Sequence, residues 1–223
     1  MVRKFDIIEF EQTEKQIVKP ITKFGGQPVW LEEPQWPVSC GWDNRLMMFV
    51  GQIAIEKGML GNKENAVAYI FVTHAEDYND DFYDPDVVEW YGGENAVIIQ
   101  PGGEVYCEYR NINDGPTLYD AKNRNFQYIP KIVESFDPDF IVEKEYNLLD
   151  VSSQNEYFES VDKNKIGGTP SFFRGDEWPE GDWKLLLQLK TNFLPFKLIL
   201  GDMPVMYVFI SHDFKRSGIL IQD

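Results

Sequence analysis

The stretch that decides the fold of this 223-residue chain is Thr22-Lys-Phe-Gly-Gly-Gln-Pro-Val-Trp30, which returns 142 positions later as Asn164-Lys-Ile-Gly-Gly-Thr-Pro-Ser-Phe172. At the same shift, Trp36-Pro37 falls on Trp178-Pro179 without a gap. The fifteen columns from 23 to 37 contain six identities, where average residue usage would produce about one. In each copy, Gly-Gly-x-Pro is typical of a sharp backbone turn, because glycine accepts positive φ and proline fixes the exit.

Apolar blocks follow in the same order in both copies. Each block is short and rich in Val, Ile, Phe and Tyr, which is typical of β-strands. A repeat of about 140 residues is far too long for a solenoid unit. We therefore interpret residues 1–223 as one domain with a duplicated half, at about 20–101 and 162–223, joined by a connecting segment at 102–161. The predicted strands are Leu46–Ile55, Val67–His74, Ala96–Gln100, Lys184–Lys190, Val205–His212 and Gly218–Gln222.

The segment between the halves is predicted to be mixed. Glu104–Tyr109 alternates like a further strand, and Gln154–Val161 is predicted to be a helix capped by Ser152 or Ser153. Another short helix is expected before Pro138. Together with the six strand blocks, this mixture favours an α+β, mainly β fold of short antiparallel strands and a few short helices in a pseudo-twofold arrangement.

The chain is strongly acidic, with 37 Asp and Glu against 21 Lys and Arg and a formal net charge of −16. Such a charge disfavours binding to nucleic acid and to anionic membrane surfaces. No apolar stretch reaches the roughly 18 residues of a membrane-spanning helix, and the first residues turn acidic before a signal-peptide core develops. Two isolated cysteines, Cys40 and Cys107, indicate a reducing compartment. We therefore expect a cytoplasmic protein.

The negative charge is concentrated in one stretch. Between Lys63 and Arg110 there are eleven acidic residues and no Lys or Arg. The densest part lies in Glu76–Glu94, here called the acidic segment, and turn-forming residues predict that it is a loop. The second copy has only Asp213–Ser217 at the corresponding place, so the acidic segment is interpreted as an insertion in one copy.

Two interpretations of the acidic segment stay open. It is either a solvated connection that maintains solubility or a contact surface for a basic protein or peptide. The second follows because carboxylates steer a basic partner while aromatic rings supply rigid contact area. The candidate binding residues are Glu76, Asp77, Tyr78, Asp80, Asp81, Phe82, Tyr83, Asp84, Asp86, Trp90 and Tyr91.

A calcium site in the acidic segment is a weaker alternative. Asp77, Asn79 and Asp81 match the first positions of a calcium-binding loop. However, Phe82 stands where that loop needs glycine and Val88 where it needs a bidentate glutamate. The pattern therefore assigns no metal ligand.

Few residues of the sequence are candidates for catalysis. His74 and His212 are the only histidines, and they follow equivalent predicted strands. They are candidates for a metal pair, a general base or a small-ligand cleft between the halves, or else for rings that bond their own turns. The sequence contains no nucleophile elbow, phosphate loop or zinc-protease helix. We therefore expect no catalytic residue and no cofactor, and the oligomeric state stays open.

The repeated opening, continued by Phe49-Val-Gly-Gln-Ile53, resembles the YwqG-like family of bacterial proteins of unassigned function. The pattern Gly-Gly-x-Pro-x-Trp-Leu at Gly25–Leu31 is also similar to the eukaryotic programmed cell death protein 2 family. The resemblance implies a shared fold over both halves and no catalytic residue. The eukaryotic relatives are chaperones of a basic ribosomal protein, and bacterial relatives occur in toxin gene neighbourhoods. The resemblance therefore implies a chaperone-like or immunity-type binding role. This chain departs from the eukaryotic relatives in one respect, since their Cys-rich zinc module has no counterpart near Cys40.

Overall fold

The computed structural model describes residues 1–75, 84–90, 93–118 and 126–223. The first strands are β1 (Val2–Thr13), β2 (Lys23–Gly25), β3 (Trp36–Pro37), β4 (Met48–Ile55), β5 (Ala66–Val72) and β6 (Asn95–Gln100). The later strands are β7 (Tyr109–Arg110), β8 (Gln127–Asp137), β9 (Lys165–Gly167), β10 (Trp183–Lys190), β11 (Val205–Ser211) and β12 (Ser217–Gln222). Two α-helices, α1 (Glu143–Tyr146) and α2 (Val151–Val161), and 3-10 turns at Pro85–Val88 and Thr191–Phe193 complete these elements.

Ten strands form one antiparallel sheet that curls until its edges meet. Its strand order is β12-β11-β10-β9-β1-β8-β2-β4-β5-β6, and β3 and β7 form a separate pair. At the seam between β6 and β12, Ser217 Oγ donates to Val97 O over 3.0 Å. Just beyond it, Glu104 N donates to Lys215 O over 2.7 Å. The sheet is therefore nearly closed, and its two end strands are not exposed edges.

The strands on the two sides of the β1–β8 pair have matching registers. Lys23 of β2 lies opposite Gln52 of β4, and Lys165 of β9 lies opposite Gln188 of β10. The β4–β5 and β10–β11 pairs each contain one register irregularity. Read outward from β1 and β8, the strands of the two sides therefore correspond one to one.

Alternate residues of these strands pack on opposite faces of the sheet. In β5, Ile70 belongs to a large buried cluster shared with β10, β11 and β12, whereas Tyr69 belongs to a smaller cluster around Trp36. A third cluster includes Tyr207 of β11, with Phe172 from the loop after β9 packed against it. The curled sheet thus has one inner core and an outer loop layer over each half.

The prediction of a mainly β fold is confirmed, and all six predicted strand blocks are strands whose ends differ by at most two residues. Predictions for the connecting segment are less accurate. Residues before Pro138 form β8 rather than a helix, because their backbone pairs with β1 from Gln127 to Asp137. Within the predicted strand Glu104–Tyr109, only Tyr109 belongs to a strand, which is β7. Helix α2 begins earlier than predicted, with Asp150 as its cap.

Candidate functional site

The acidic segment lies between β5 and β6, and the structure describes three of its predicted binding residues. Glu76–Tyr83 and Tyr91 lie outside the described residues, so the calcium-like pattern at Asp77–Asp81 does too. Asp84, Asp86 and Trp90 are described. The three side chains have different surroundings: that of Asp86 is exposed, whereas those of Asp84 and Trp90 are half-buried.

Asp84 is a half-buried cap that ties the acidic segment to the loop between β3 and β4. Its Oδ1 accepts a hydrogen bond from Asp86 N at 2.8 Å, at the start of the 3-10 turn. Its Oδ2 accepts from the indole Nε1–H of Trp42 at 2.7 Å. Pro85 suits the first position of this turn, because a residue there needs no backbone N–H. Both oxygens of the Asp84 carboxylate thus accept hydrogen bonds from within the protein.

Glu94 fixes the C-terminal end of the acidic segment and is 1% exposed. Its Oε2 accepts from Ser39 Oγ at 2.6 Å and its Oε1 from Gly41 N at 2.7 Å. Ser39 Oγ in turn accepts from Trp42 N at 3.0 Å. Two donors compensate for the burial of a carboxylate, which is otherwise costly. Glu94 is therefore a structural acid that holds the loop after β3.

Trp90 packs against the other half of the sheet. Its ring centroid lies 5.0 Å from that of Trp183 and 5.8 Å from that of Phe209. A side chain at Gly218 would meet the Trp90 ring, since an added Cβ would lie 2.6 Å from it. Trp90 is half-buried and anchors the segment across the seam between β6 and β12. The predicted binding role of Trp90 and Tyr91 stays a prediction.

Two carboxylates between these anchors face solvent. Asp86 and Glu89 are exposed, and neither forms an ion pair with a residue that the structure describes. Asn95 Nδ2 donates to the backbone oxygens of Val87 and Glu89, which fixes the backbone that carries them. Val87 is fully buried in the inner core. The exposed carboxylates are therefore carried on anchored backbone.

The contact between the acidic segment and the loop that joins β3 to β4 was not predicted from the sequence. The guanidinium of Arg45 lies 4.9 Å from the Trp42 ring, and its Nη2 donates to His74 O. Asp43 and Asn44 adopt positive φ, which these residue types tolerate in turns. The available indication was Trp42, a tryptophan without a Trp counterpart in the second copy.

The two histidines lie at opposite ends of β5. His74 follows the end of that strand. His212 lines a cavity of about 530 Å³ with Asn62, Ala66 and Pro101, at the beginning of the strand. The six residue steps of β5 span about 20 Å. The equivalence of His74 and His212 along the chain therefore does not bring their rings into one cleft.

Polar residues at matching positions of the two halves hold the Gly-Gly-x-Pro loops. Gln52 Oε1 accepts from Val29 N at 2.9 Å, and Gln188 Oε1 accepts from Ser171 N at 2.9 Å. The Tyr69 hydroxyl donates to Val29 O at 2.8 Å, and burial raises the pKa of that hydroxyl above its ordinary value. These side chains stabilise the fold and are not part of an open site.

The repeated lysines are wholly buried, and burial lowers the pKa of both Lys23 and Lys165 to about 8. Lys165 Nζ lies 2.6 Å from Asp137 Oδ2, and Lys4 Nζ lies 2.6 Å from Asp137 Oδ1. Lys23 instead donates to neutral oxygens, including Gln127 Oε1 at 2.7 Å. Neither amine is accessible as a nucleophile.

The remaining reactive groups do not form a catalytic constellation. Cys40 is exposed and Cys107 is half-buried. Burial raises the pKa of Cys107 to about 11, which is the opposite of what an activated thiol requires. In the ranges that the structure describes, no three His, Cys, Asp or Glu side chains are grouped to hold a metal ion. Nor does any helix in those ranges have the length and apolar character to cross a membrane.

Comparison with protein-family models matches residues 22–216 to a family described as Domain of unknown function (DUF1963). The match begins just before β2 and ends just before β12, so it includes most strands of both sides of the sheet. No curated protein matches the chain.

Proposed function

The chain belongs to the DUF1963 family, and on that premise we propose that it is a non-catalytic binding module for a basic protein or peptide. The acidic segment is the recognition element, and the role is chaperone-like or immunity-type. Its carboxylates pair with Lys and Arg of the partner, and its aromatic rings pack against the stems of those side chains. We place this activity in the cytoplasm.

One observation carries this proposal: exposed carboxylates stand on anchored backbone in a stretch without any basic residue. Trp42 and Ser39 hold Asp84 and Glu94, while Asp86 and Glu89 remain exposed. Anchored ends reduce the conformational entropy that a binding loop loses when it meets its partner. The eleven acidic residues between Lys63 and Arg110 supply the charge that would attract a basic chain from a distance.

We further propose that the two sides of the sheet arose by duplication and are related by a pseudo-twofold axis, in a YwqG-like fold distantly similar to the programmed cell death protein 2 family. The matching registers around Lys23 and Lys165 support this idea. The β5–β6 connection holds the acidic segment, whereas the corresponding β11–β12 connection is residues 212–216. An addition of this kind to one copy is typical of a binding face.

The test compares two triple variants with equal loss of charge. One replaces Asp80, Asp81 and Asp86 with Asn, and the control replaces Glu145, Glu156 and Glu159, exposed residues in or near α1 and α2, with Gln. A fluorescein-labelled (Lys-Ala)₅ peptide is titrated into each protein at 50 mM salt and its anisotropy is measured.

We expect the segment variant to bind about 3- to 150-fold more weakly than the control, because each of the three lost ion pairs contributes about 0.2–1 kcal/mol. Equal affinities for the two variants would show that general negative charge, and not the acidic segment, holds the peptide. That result would refute the proposal.

A further inference from the structure

Among the residues that the structure describes, one edge of strand β8 has no strand partner over most of its length. On one side it pairs with β1 from Gln127 to Asp137, but on the other side it pairs with β2 only at Gln127 and Tyr128. Pro130 has no N–H, so it fits a position whose backbone faces away from β1. The register irregularity of this pair lies in β1. By alternation, the backbone groups of Ile132, Glu134 and Phe136 also face away from β1.

These outward groups have no hydrogen-bond partner among the residues that the structure describes. Their side chains are exposed as well, with Ile132 at 40% and Phe136 at 54%. An edge of this kind is a template for a further strand. Pro130 lacks an N–H and so prevents a hydrogen bond only at its own position. The stretch from Ile132 to Phe136 can still pair with an added strand.

A groove lies beside this edge, in line with β2. Strand β2 occupies the position between β4 and β8 only over Lys23–Gly25. Just upstream, Ala54 N donates to the Thr22 side chain instead of to a strand backbone. Strands separated by one intervening strand lie about 10 Å apart. Upstream of Thr22, the space between β4 and β8 in line with β2 therefore has the width of one extended chain. We call this space the β8 groove.

The β8 groove is mainly apolar. It has a volume of about 570 Å³ and is partly open to solvent. Such a lining suits alternate apolar side chains of an extended segment. The apolar residues that line it include Phe5, Ile21, Leu31, Ile55, Met59 and Ile132.

The charges beside the groove cancel one another. Arg3 Nε lies 2.7 Å from Glu134 Oε1, and Arg3 Nη1 also donates to Gly58 O. Glu56 and Lys57 follow each other along the chain at the rim. Two positive and two negative side chains therefore balance there, and they select neither an acidic nor a basic ligand. The complementary occupant is thus an uncharged chain, which differs from the basic partner of the acidic segment.

We propose that the β8 groove binds an extended, uncharged segment of another protein, which adds as a strand antiparallel to β8 in line with β2. Its backbone exchanges hydrogen bonds with Ile132, Glu134 and Phe136, and its alternate side chains enter the groove. This site is separate from the acidic segment and does not depend on the function proposed for it.

Amide hydrogen exchange measured by NMR tests the site in the full-length protein. Without ligand, the outward amides of Ile132, Glu134 and Phe136 exchange at least tenfold faster than those of Val133 and Ser135, which face β1. The probe is acetyl-Thr-Val-Thr-Val-Thr-amide at millimolar concentration. We expect it to slow the three outward amides at least fivefold, while a fully N-methylated version of the peptide has no effect.

Two substitutions at one position separate backbone pairing from side-chain effects. Glu134→Ala and Glu134→Pro both remove the ion pair with Arg3, but only Pro removes the outward N–H. We expect Glu134→Ala to bind the probe within twofold of the unmodified protein and Glu134→Pro to bind it at least fivefold more weakly. If Glu134→Pro fails to fold, the exchange pattern of the unmodified protein decides.

Three results would overturn the proposal. The first is equal exchange of outward and inward amides in the free protein, which would mean that the edge is already paired. The second is the absence of probe-dependent protection, or protection confined to Asp84–Glu94. The third is protection of Ile132 and Phe136 that grows with protein concentration alone, which would identify a second copy of the chain as the occupant.

Discussion

Replacement of Lys23 by methionine should change how stability depends on pH. The Lys23 amine is wholly buried, and it donates to Gln27 O at 2.6 Å and to Gln127 Oε1 at 2.7 Å. Both partners are neutral, so nothing offsets the loss of hydration by an opposite charge. Burial accordingly lowers the pKa of Lys23 from 10.5 to about 8. Methionine has a similar length and cannot titrate.

The direction and size of the effect follow from the two pKa values of Lys23. Between pH 8 and pH 10.5 the unfolded chain binds more protons than the folded protein, so the free energy of unfolding rises with pH. From pH 8 to pH 10 the Lys23 contribution amounts to about 2 kcal/mol. The raised pKa values of Tyr69 and Tyr207 lower the free energy of unfolding at higher pH. They do so equally in the unmodified protein and in Lys23→Met, so they cancel when the two are compared.

Urea unfolding at pH 8, 9 and 10 under reducing conditions measures this contribution. The quantity to compare is the free energy of unfolding of the unmodified protein minus that of Lys23→Met. We expect this difference to increase by about 2 kcal/mol over the range. A difference that is constant to within about 0.5 kcal/mol, or that falls, would refute the conclusion that burial of Lys23 destabilises its charged form.

Three further substitutions test the packing of the scaffold and the anchoring of the acidic segment. Gln188→Leu should lower the free energy of unfolding in urea by about 2–4 kcal/mol, because Ser171 N and the other buried partners of the Gln188 side chain lose their hydrogen bonds. The control Gln16→Leu, at an exposed position, should change it by less than about 0.5 kcal/mol. Phe196→Ala should cost about 3–5 kcal/mol by leaving a cavity in the inner core, and a cost below about 1 kcal/mol would contradict that placement. Trp90→Ala should weaken (Lys-Ala)₅ binding and raise amide exchange at Asp86, and unchanged values of both would show that Trp90 does not anchor the segment.

The strands that could be predicted are those with continuous apolar runs. In Val205–Ser211 every residue is buried, so the sequence pattern and the packing agree. Strands β1 and β8 could not be recognised in this way. They carry exposed charges such as Glu9, Lys131 and Glu134, and β8 contains Pro130, a residue that is unfavourable within strands. They are strands because each pairs with the other over its whole length, and that information is absent from local sequence.

The same limit applies to the acidic segment. Its charge excess was visible in the sequence, but its carboxylates could not be sorted by role. Glu94 is buried because Ser39 and Gly41 donate to it, and these residues lie more than fifty positions away. Asp86 has a similar local sequence environment and stays exposed. Only tertiary contacts distinguish a structural acid from a candidate binding residue.

The central claim, that the acidic segment recognises a basic partner, is tested most directly by comparing what the protein retains from an extract of the cells that produce it. The unmodified protein, the Asp80/Asp81/Asp86→Asn variant and the Glu145/Glu156/Glu159→Gln control are immobilised at equal density, and bound proteins are quantified by mass spectrometry. We expect at least one basic protein to be retained by the unmodified protein and the control and to be lost from the segment variant. Identical sets of bound proteins for all three would contradict the claim.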